Sequence, residues 1–435
     1  VLTNMGGNTM YFLKSKNLVE WEHAGCYEVF RPECPDLITL NDGTRNRTVI
    51  TFTSRYYVIC DLVYENGNIV MKDDKGNTID HLLQGNPQFR TMDYGPDSYA
   101  AQAFYIDDDS DSAYAGKHVA VNWFSGVPDG ADSIESGVLQ TARKVWNGGG
   151  MTIPVIYGLK GETLTVTPIT VADAEFAKLK TPIVEIENSP MTDGLLSSVK
   201  SRTAEITAKL SNPSRTGVSF KVNMSADGSK YTEIGWNKTE GYFVDRTHTD
   251  DGGIIFPQPN YARRHASGLG KDNTDLDFYI LVDRNNVEVY CDGFSVPFYL
   301  LTFASPFSEN MSFTSESDLT INELMVNTIA STWREANAES TLYLSETNVE
   351  LDVSLTTEKE IMVVADGELS YEITSGAGVV EIAQTAVGFT VKALTAGNAV
   401  VEVKCGERTR LVNVTVHTGV ANTDMTFKPS GVVSG

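Results

Sequence analysis

Only five cysteines occur in 435 residues, Cys26, Cys34, Cys60, Cys291 and Cys405. They are too few and too scattered for a disulfide framework, and no Cys-x-x-Cys pair has the spacing of a zinc site. The count leaves the redox compartment open. No run of 18 apolar residues occurs, so no segment is expected to span a bilayer. Positive charge is short: 34 Lys and Arg against 57 Asp and Glu leave a net charge of −23. That balance repels phosphate backbones and anionic lipid surfaces, so nucleic acid is not expected as a partner. His23, His81, His118, His248, His265 and His417 show no ligand spacing with Cys or Asp. The acidic runs Asp107 to Asp111 and Asp250-Asp251 lack the Asp-x-Asp-x-Asp-Gly pattern and closing Glu of a calcium loop. Neither a metal nor a cofactor is expected. Val1 opens the run VLTNMGGNTMYF, which reads as strand, with neither a charged start nor an apolar signal core. The expectation is that the chain starts mid-protein.

What the chain has in quantity is strand. Apolar residues make up 41% and charged residues 21%, an ordinary globular composition, and at roughly 150 residues per domain the length suggests about three domains. Runs rich in β-branched and aromatic residues at Thr48 to Ser54, Val119 to Phe124, Val218 to Asn223, Phe278 to Asp283 and Val287 to Cys291 are bounded by Gly, Asn and Asp. The fold class is therefore all-β. Helical spacing occurs around Ala172 to Leu179, before Pro182, and serves as a connector.

Residues 1–170 carry strands parted by acidic turns such as Asp73-Asp74 and Asp107-Asp108-Asp109, as in propeller blades. A linker is expected over 171–182. Residues 183–335 alternate as in a β-sandwich, with turns at Ala226-Asp227-Gly228 and Asp251-Gly252-Gly253 and a final strand near Leu319 to Leu324. After a small-residue linker at 336–341, residues 342–418 have the size and pattern of a small immunoglobulin-like sandwich, and 419–435 read as a mobile tail. Five Asn-x-Ser/Thr tripeptides, at Asn46, Asn223, Asn237, Asn310 and Asn413, either mark exposed loops of a glycosylated secreted protein or arise by chance in a chain rich in Asn, Ser and Thr.

Four stretches carry candidate chemistry. In Arg31-Pro32-Glu33-Cys34-Pro35-Asp36-Leu37 the prolines stiffen the backbone around Glu33, and the neighbours Phe30, Leu37 and Ile38 would desolvate its carboxyl and favour the protonated form that a general acid needs. Met92-Asp93-Tyr94-Gly95-Pro96-Asp97-Ser98-Tyr99-Ala100-Ala101-Gln102 sets two carboxylates and two tyrosines around a tight turn, suited to bonding sugar hydroxyls and stacking on their apolar faces. Val121-Asn122-Trp123-Phe124-Ser125-Gly126 adds an aromatic platform with an adjacent amide, and Met151-Thr152-Ile153-Pro154 closes the set. Each stretch alone also fits a plain turn or core strand, and Asp97 fits a turn cap. Asp245-Arg246 and Asp283-Arg284 read as ion pairs within the sandwich.

Taken in this order, Glu-Cys-Pro-Asp-Leu, Asp-Tyr-Gly-x-Asp-x-Tyr-Ala, Asn-Trp and Met-Thr-Ile-Pro resemble glycoside hydrolase family 32, the levanases, inulinases and invertases that cleave β-fructosides. The likeness extends back to Tyr11 through Trp21. It runs on through Val244-Asp245-Arg246-Thr247 and Val282 to Tyr290, covering about residues 1 to 330. The resemblance implies a five-bladed β-propeller joined to a β-sandwich, and a retaining two-carboxylate mechanism in which Glu33 is the acid/base. It further implies that Asp93, Tyr94, Asp97, Tyr99, Asn122 and Trp123 line the sugar site. The third unit resembles a bacterial immunoglobulin-like module, on the stretch Gly388 to Gly397.

Two departures matter. The family's nucleophile stretch, Trp-x-Asn-Asp-Pro-Asn-Gly, and its Arg-Asp-Pro triplet occur nowhere in the chain, so the first blades are expected to be absent and the isolated chain to be inactive. After Pro154 the sequence continues Val155-Ile156-Tyr157, where the family more often has an Arg. The expected partners are a fructan or sucrose and the N-terminal portion of the same enzyme. The alternative is a non-catalytic fructan-binding or surface scaffold protein. A secreted or cell-surface location is expected, because a polymeric fructan cannot enter a cell intact.

Overall fold

The computed structural model describes the chain outside residues 1, 5–6, 125–149, 193, 250–261, 285, 303, 305–307, 332–341, 366–367, 386–387 and 419–435. The expected turn at Asp251-Gly252-Gly253, the linker at 336–341 and the tail lie outside the described residues, as do Ser125 and Gly126 of the aromatic stretch. The chain divides into two compact units, Val1–Ala330 and Ser331–Gly435. Among the described residues the structure is nearly all strand, and no helix is long and apolar enough to cross a membrane.

The first unit opens with three sheets in chain order. The first sheet joins Leu2–Asn4, Thr9–Lys14, Glu22–Val29 and His81–Leu82. Asp36–Asn41, Asn46–Phe52, Tyr56–Glu65 and Asn68–Lys72 form the second, with Arg90–Thr91 paired onto Tyr56–Glu65. The third holds Ser98–Tyr105, His118–Phe124, Val155–Lys160 and Thr163–Pro168, with Gly150–Met151 paired onto His118–Phe124. Such four- and five-stranded repeats are what a propeller is built from. Each sheet buries one alternating set of side chains against the next. Met10, Phe12 and Val29 meet Ile50, Phe52 and Val58, while Ile38, Val49 and Tyr57 meet Ala120, Phe124 and Val155.

A short helix, Ala174–Ala177, follows, its N-terminus closed by the Asp173 carboxylate accepting from Phe176 N–H at 2.7 Å. The next strand, Lys180–Pro190, starts inside the stretch expected to be linker and runs through Pro182. A proline is tolerated there because this strand lies at the edge of its sheet, with a register shift between Pro182 and Val184. That sheet has six strands, ordered Lys180–Pro190, Thr320–Ile329, Thr203–Ser211, Asp275–Asp283, Asn286–Cys291 and Val296–Leu301. It packs on a five-stranded sheet over a core that includes Trp236, Phe278 and the stacked rings of Phe220 and Phe313, 4.1 Å apart. Its central strands are buried on both faces. Phe278 and Ile280 face this core, while Tyr279, Leu281, Tyr290, Tyr299 and Leu301 face the second and third sheets. The first three sheets and the sandwich are thus one packed body.

The second unit is also a two-layered sandwich: two four-stranded sheets share a core that includes Leu351, Phe389, Val401 and Val414. All five Asn-x-Ser/Thr tripeptides have their asparagine in a strand rather than a loop. Asn223 is buried, its side-chain amide donating to Thr302 Oγ1 at 3.2 Å, so it is closed to glycosylation in the folded protein.

Candidate active site

Glu33 lies in the connection between the first and second sheets, between two left-handed residues, Arg31 (φ 52°) and Cys34 (φ 46°). The apolar shell expected around it is absent: Glu33 is exposed. Leu37 points away to solvent, Ile38 is buried in the core between the second and third sheets, and Phe30 packs on Tyr56 with ring centroids 5.9 Å apart. What Glu33 has instead is a hydroxyl. Tyr99, at the start of the third sheet, donates its O–H to Glu33 Oε2.

Register completes the surface beside it. Tyr99 pairs with Trp123, and Trp123 pairs with Met151, so three side chains form one row across three adjacent strands. Trp123 is 39% exposed and Met151 56%, while Tyr99 is half-buried with its ring edge toward the indole at 6.5 Å. An exposed carboxyl next to an aromatic platform can meet a sugar hydroxyl and a sugar's apolar face at once.

The other residues expected at the sugar site are placed largely out of solvent. Asn122 precedes Trp123 in an extended strand, so its side chain faces the opposite way, 2% exposed. Its backbone accepts from Thr152 N–H at 2.9 Å and donates to Thr152 Oγ1 at 3.1 Å. Asp93 is 1% exposed and pairs with Arg55 at 3.2 Å. Asp97, 2% exposed, is held by the Arg246 guanidinium and by Leu301 N–H at 2.7 Å. Tyr94 packs into the sandwich core beside Phe298, its rings 6.0 Å apart, and burial pushes its phenol well up.

The run from Asp93 to Asp97 is therefore a clamp onto the sandwich. Tyr94 N–H donates to Pro297 O at 2.9 Å and Asp97 N–H to Tyr299 O at 3.3 Å, laying the turn along the strand Val296–Leu301. Only glycine fits at 95, because a Cβ there would sit 2.2 Å from Tyr299 N. Arg246 pairs with Asp97, not with its neighbour Asp245, which binds Arg263 at 2.7 Å instead. Burial alone would pull the Arg246 guanidinium down, and Asp97 counters it. Asp36, also buried, ties the second sheet to the third by accepting from Ala103 N–H and the Gln102 amide. Burial pushes its carboxyl up against those bonds.

Sequence reasoning missed Arg55, the partner of Arg246 and the link from Glu288 to Ile153, because these contacts join residues far apart in the chain. Glu288 is fully buried beneath the Met-Thr-Ile-Pro stretch, accepting from Ile153 N–H at 2.9 Å and Tyr290 O–H at 2.6 Å. Desolvation pushes its carboxyl up to about 7 despite both bonds. A carboxyl raised on folding costs nothing while protonated in both states. It destabilises progressively as pH rises from about 4.5 through about 7, and the full penalty is roughly 3 kcal/mol. Glu288→Gln should therefore leave stability nearly unchanged at pH 4.5 and raise it at pH 8. Denaturant unfolding of both proteins at both pH values checks this, and parallel pH dependences would contradict it.

Comparison with known proteins follows the same division of the chain. Residues 3–166 match the family model for the N-terminal domain of glycosyl hydrolases family 32, and residues 175–329 match the C-terminal model of that family. The levanase of Bacillus sp. (strain L7) is 25% identical over 397 residues, 84% of this chain and 39% of that protein. The fructan beta-fructosidase of Streptococcus mutans is 23% identical over 347 residues, 76% of this chain and 23% of that protein. The chain thus spans less than half the length of these curated relatives. Among solved structures, the exo-inulinase of Aspergillus awamori superposes with a TM-score of 0.54 at 18% identity, covering 75% of this chain and 63% of the other. The sucrose-6-phosphate hydrolase of Lactobacillus gasseri gives 0.53 at 18% identity, covering 74% and 60%. Those two share the propeller and sandwich fold. With two models of one family accounting for nearly all of its first 329 residues, the chain belongs to glycosyl hydrolase family 32.

Proposed function

We propose that this protein hydrolyses the β-fructosidic bonds of fructans such as levan or inulin, or of sucrose, by a retaining two-carboxylate mechanism with Glu33 as the acid/base. The observation that carries the reading is the exposed Glu33 carboxyl, bonded by Tyr99 at the end of the Tyr99–Trp123–Met151 row. The names of the two curated relatives support the substrate class. In the first step a carboxylate nucleophile bonds to the anomeric carbon, the glycosidic C–O bond breaks, and Glu33 gives its proton to the departing oxygen. In the second, water gives a proton to Glu33 and displaces the enzyme carboxylate, freeing fructose with its anomeric configuration retained. Trp123 stacks on the sugar ring.

The nucleophile must stand about 5–5.5 Å from Glu33. Asp36, Asp93 and Asp97, the other carboxylates of the motifs, are buried and bonded, and the family's nucleophile stretch does not occur in the sequence. We assign the nucleophile to an N-terminal portion of the same enzyme, which would bring the three sheets described here to five blades. The C-terminal unit reads as an immunoglobulin-like module that spaces or attaches the enzyme, and the substrate's size favours a secreted or cell-surface location.

The test is incubation of the complete protein with levan, inulin and sucrose in the presence of methanol. Release of fructose together with methyl β-fructofuranoside supports a retaining hydrolase. Binding of fructo-oligosaccharides without any release would instead make it a fructan-binding protein.

A further inference from the structure

The turn between Asn46–Phe52 and Tyr56–Glu65 has left-handed backbone at both central residues, Thr53 (φ 55°) and Ser54 (φ 67°), and is closed by Arg55 N–H to Phe52 O at 2.8 Å. Positive-φ positions in hairpin turns are ordinarily filled by Gly, Asn or Asp, which bear that conformation cheaply. Here a β-branched residue and a serine bear it, and the whole turn is buried: Thr53, Ser54 and Arg55 are 2%, 1% and 3% exposed. Strain of this kind persists only where the surroundings over-determine the backbone, and it collects at functional sites.

Each residue of the turn grips a different stretch of the site. Thr53 N–H donates to the Glu33 carbonyl at 2.9 Å. Ser54 Oγ accepts from Ala101 N–H at 2.6 Å. Arg55 accepts from Met92 N–H at 2.8 Å through its carbonyl, while its guanidinium donates to the Gly95 carbonyl and pairs with Asp93. The Ser54 bond falls on a bulge: register shifts between Tyr99 and Gln102, and Ala100 there is left-handed at φ 50°. The bulge follows directly on Tyr99, whose hydroxyl bonds Glu33. One three-residue turn therefore holds the chain at both ends of the Tyr99–Glu33 hydrogen bond, the Glu33 backbone through Thr53 and, two residues beyond Tyr99, the Ala101 backbone through Ser54.

We propose that Thr53-Ser54-Arg55 is the element that aims Glu33 at its substrate, and that Ser54 is a positioning residue for the acid/base. The inference rests on the reading of Glu33 as that acid/base. Ser54→Gly separates positioning from folding, because glycine relieves the left-handed strain while removing the hydroxyl. In the complete enzyme the variant should stay folded, the lost Ala101 hydrogen bond being partly offset by the relieved backbone, and keep its KM. Its kcat on levan should fall about 10- to 100-fold, the cost of displacing a catalytic group by about 1 Å. On an aryl fructoside, whose leaving group departs without a proton, kcat/KM reports only the first step, and its loss should stay within about threefold. Amide hydrogen exchange at Ala101, whose N–H loses its acceptor, and at Thr53 should speed up. Ser54→Thr keeps the hydroxyl and should hold kcat on levan within about threefold of wild type. Equal losses on both substrates, an unchanged kcat with unchanged exchange, or a threonine variant as impaired as the glycine one would each overturn the proposal. Faster exchange at Ala101 and Thr53 in a protein that cleaves no fructoside would uphold the turn's role and overturn the fructosidase reading.

Discussion

Residues 1–435 expressed alone should release fructose from sucrose or levan at a rate at least ~10³-fold below that of the complete enzyme, and adding the N-terminal portion should restore turnover. General acid help supplies about 10²–10⁴ in rate, whereas enzymes reach 10⁶ and beyond. An acid without a nucleophile is left with the smaller share. Burial removes the motif carboxylates among the described residues as substitutes, because a nucleophile must reach the anomeric carbon. Asp93 faces Arg55, Asp97 faces Arg246, and Asp36 is spent on Ala103 and Gln102. None can turn toward a sugar beside Glu33 without leaving a buried cation or amide unpaired, and that is costly. Fructose release by the separate chain, the separate N-terminal portion and their mixture measures the effect. Full activity from the isolated chain would show that a carboxylate within it is the nucleophile and would overturn the assignment of Glu33.

How far the sequence reveals such a site depends on the range of the contacts involved. Strands were legible because the pattern that makes them is local. Asn46–Phe52, His118–Phe124 and Asp275–Asp283 each contain the β-branched or aromatic run that marks them. Glu33, Tyr99 and Trp123 were legible through the motifs that contain them, and the structure brings Tyr99 to both of the others. Burial was not legible, for two reasons. Asn122 is buried because adjacent strand residues face opposite ways, so one exposed side chain implies a hidden neighbour. The ion pairs of Asp93 and Asp97 join them to Arg55 and Arg246, 38 and 149 residues away, and no local pattern encodes such a pairing. The mistaken desolvation of Glu33 is of the same kind: Leu37 and Ile38 are close in sequence, but the strand they begin turns one to solvent and the other into a separate core.

Glu33→Gln in the complete enzyme should lower kcat on levan or sucrose by about 10²–10⁴ while leaving the fold and KM nearly unchanged. The substitution is conservative at this position. Glu33 is exposed, so no buried charge is lost, and a glutamine carbonyl accepts the Tyr99 hydroxyl as the carboxylate does. The strained turn at Thr53 and Ser54 holds the Glu33 backbone, not its side chain, so the replacement stays aimed as before. What disappears is the proton, which glutamine neither gives nor takes. The loss should therefore depend on the leaving group. With an aryl fructoside the first step proceeds without proton donation, and the second stalls because no base activates water. Azide, an anion that attacks without a base, should then restore turnover of the aryl fructoside and yield the β-configured fructosyl azide, since two displacements retain configuration. Activity within about tenfold of wild type on levan, or no rescue by azide, would place the proton transfer on another residue and leave Glu33 a binding group beside Tyr99 and Trp123.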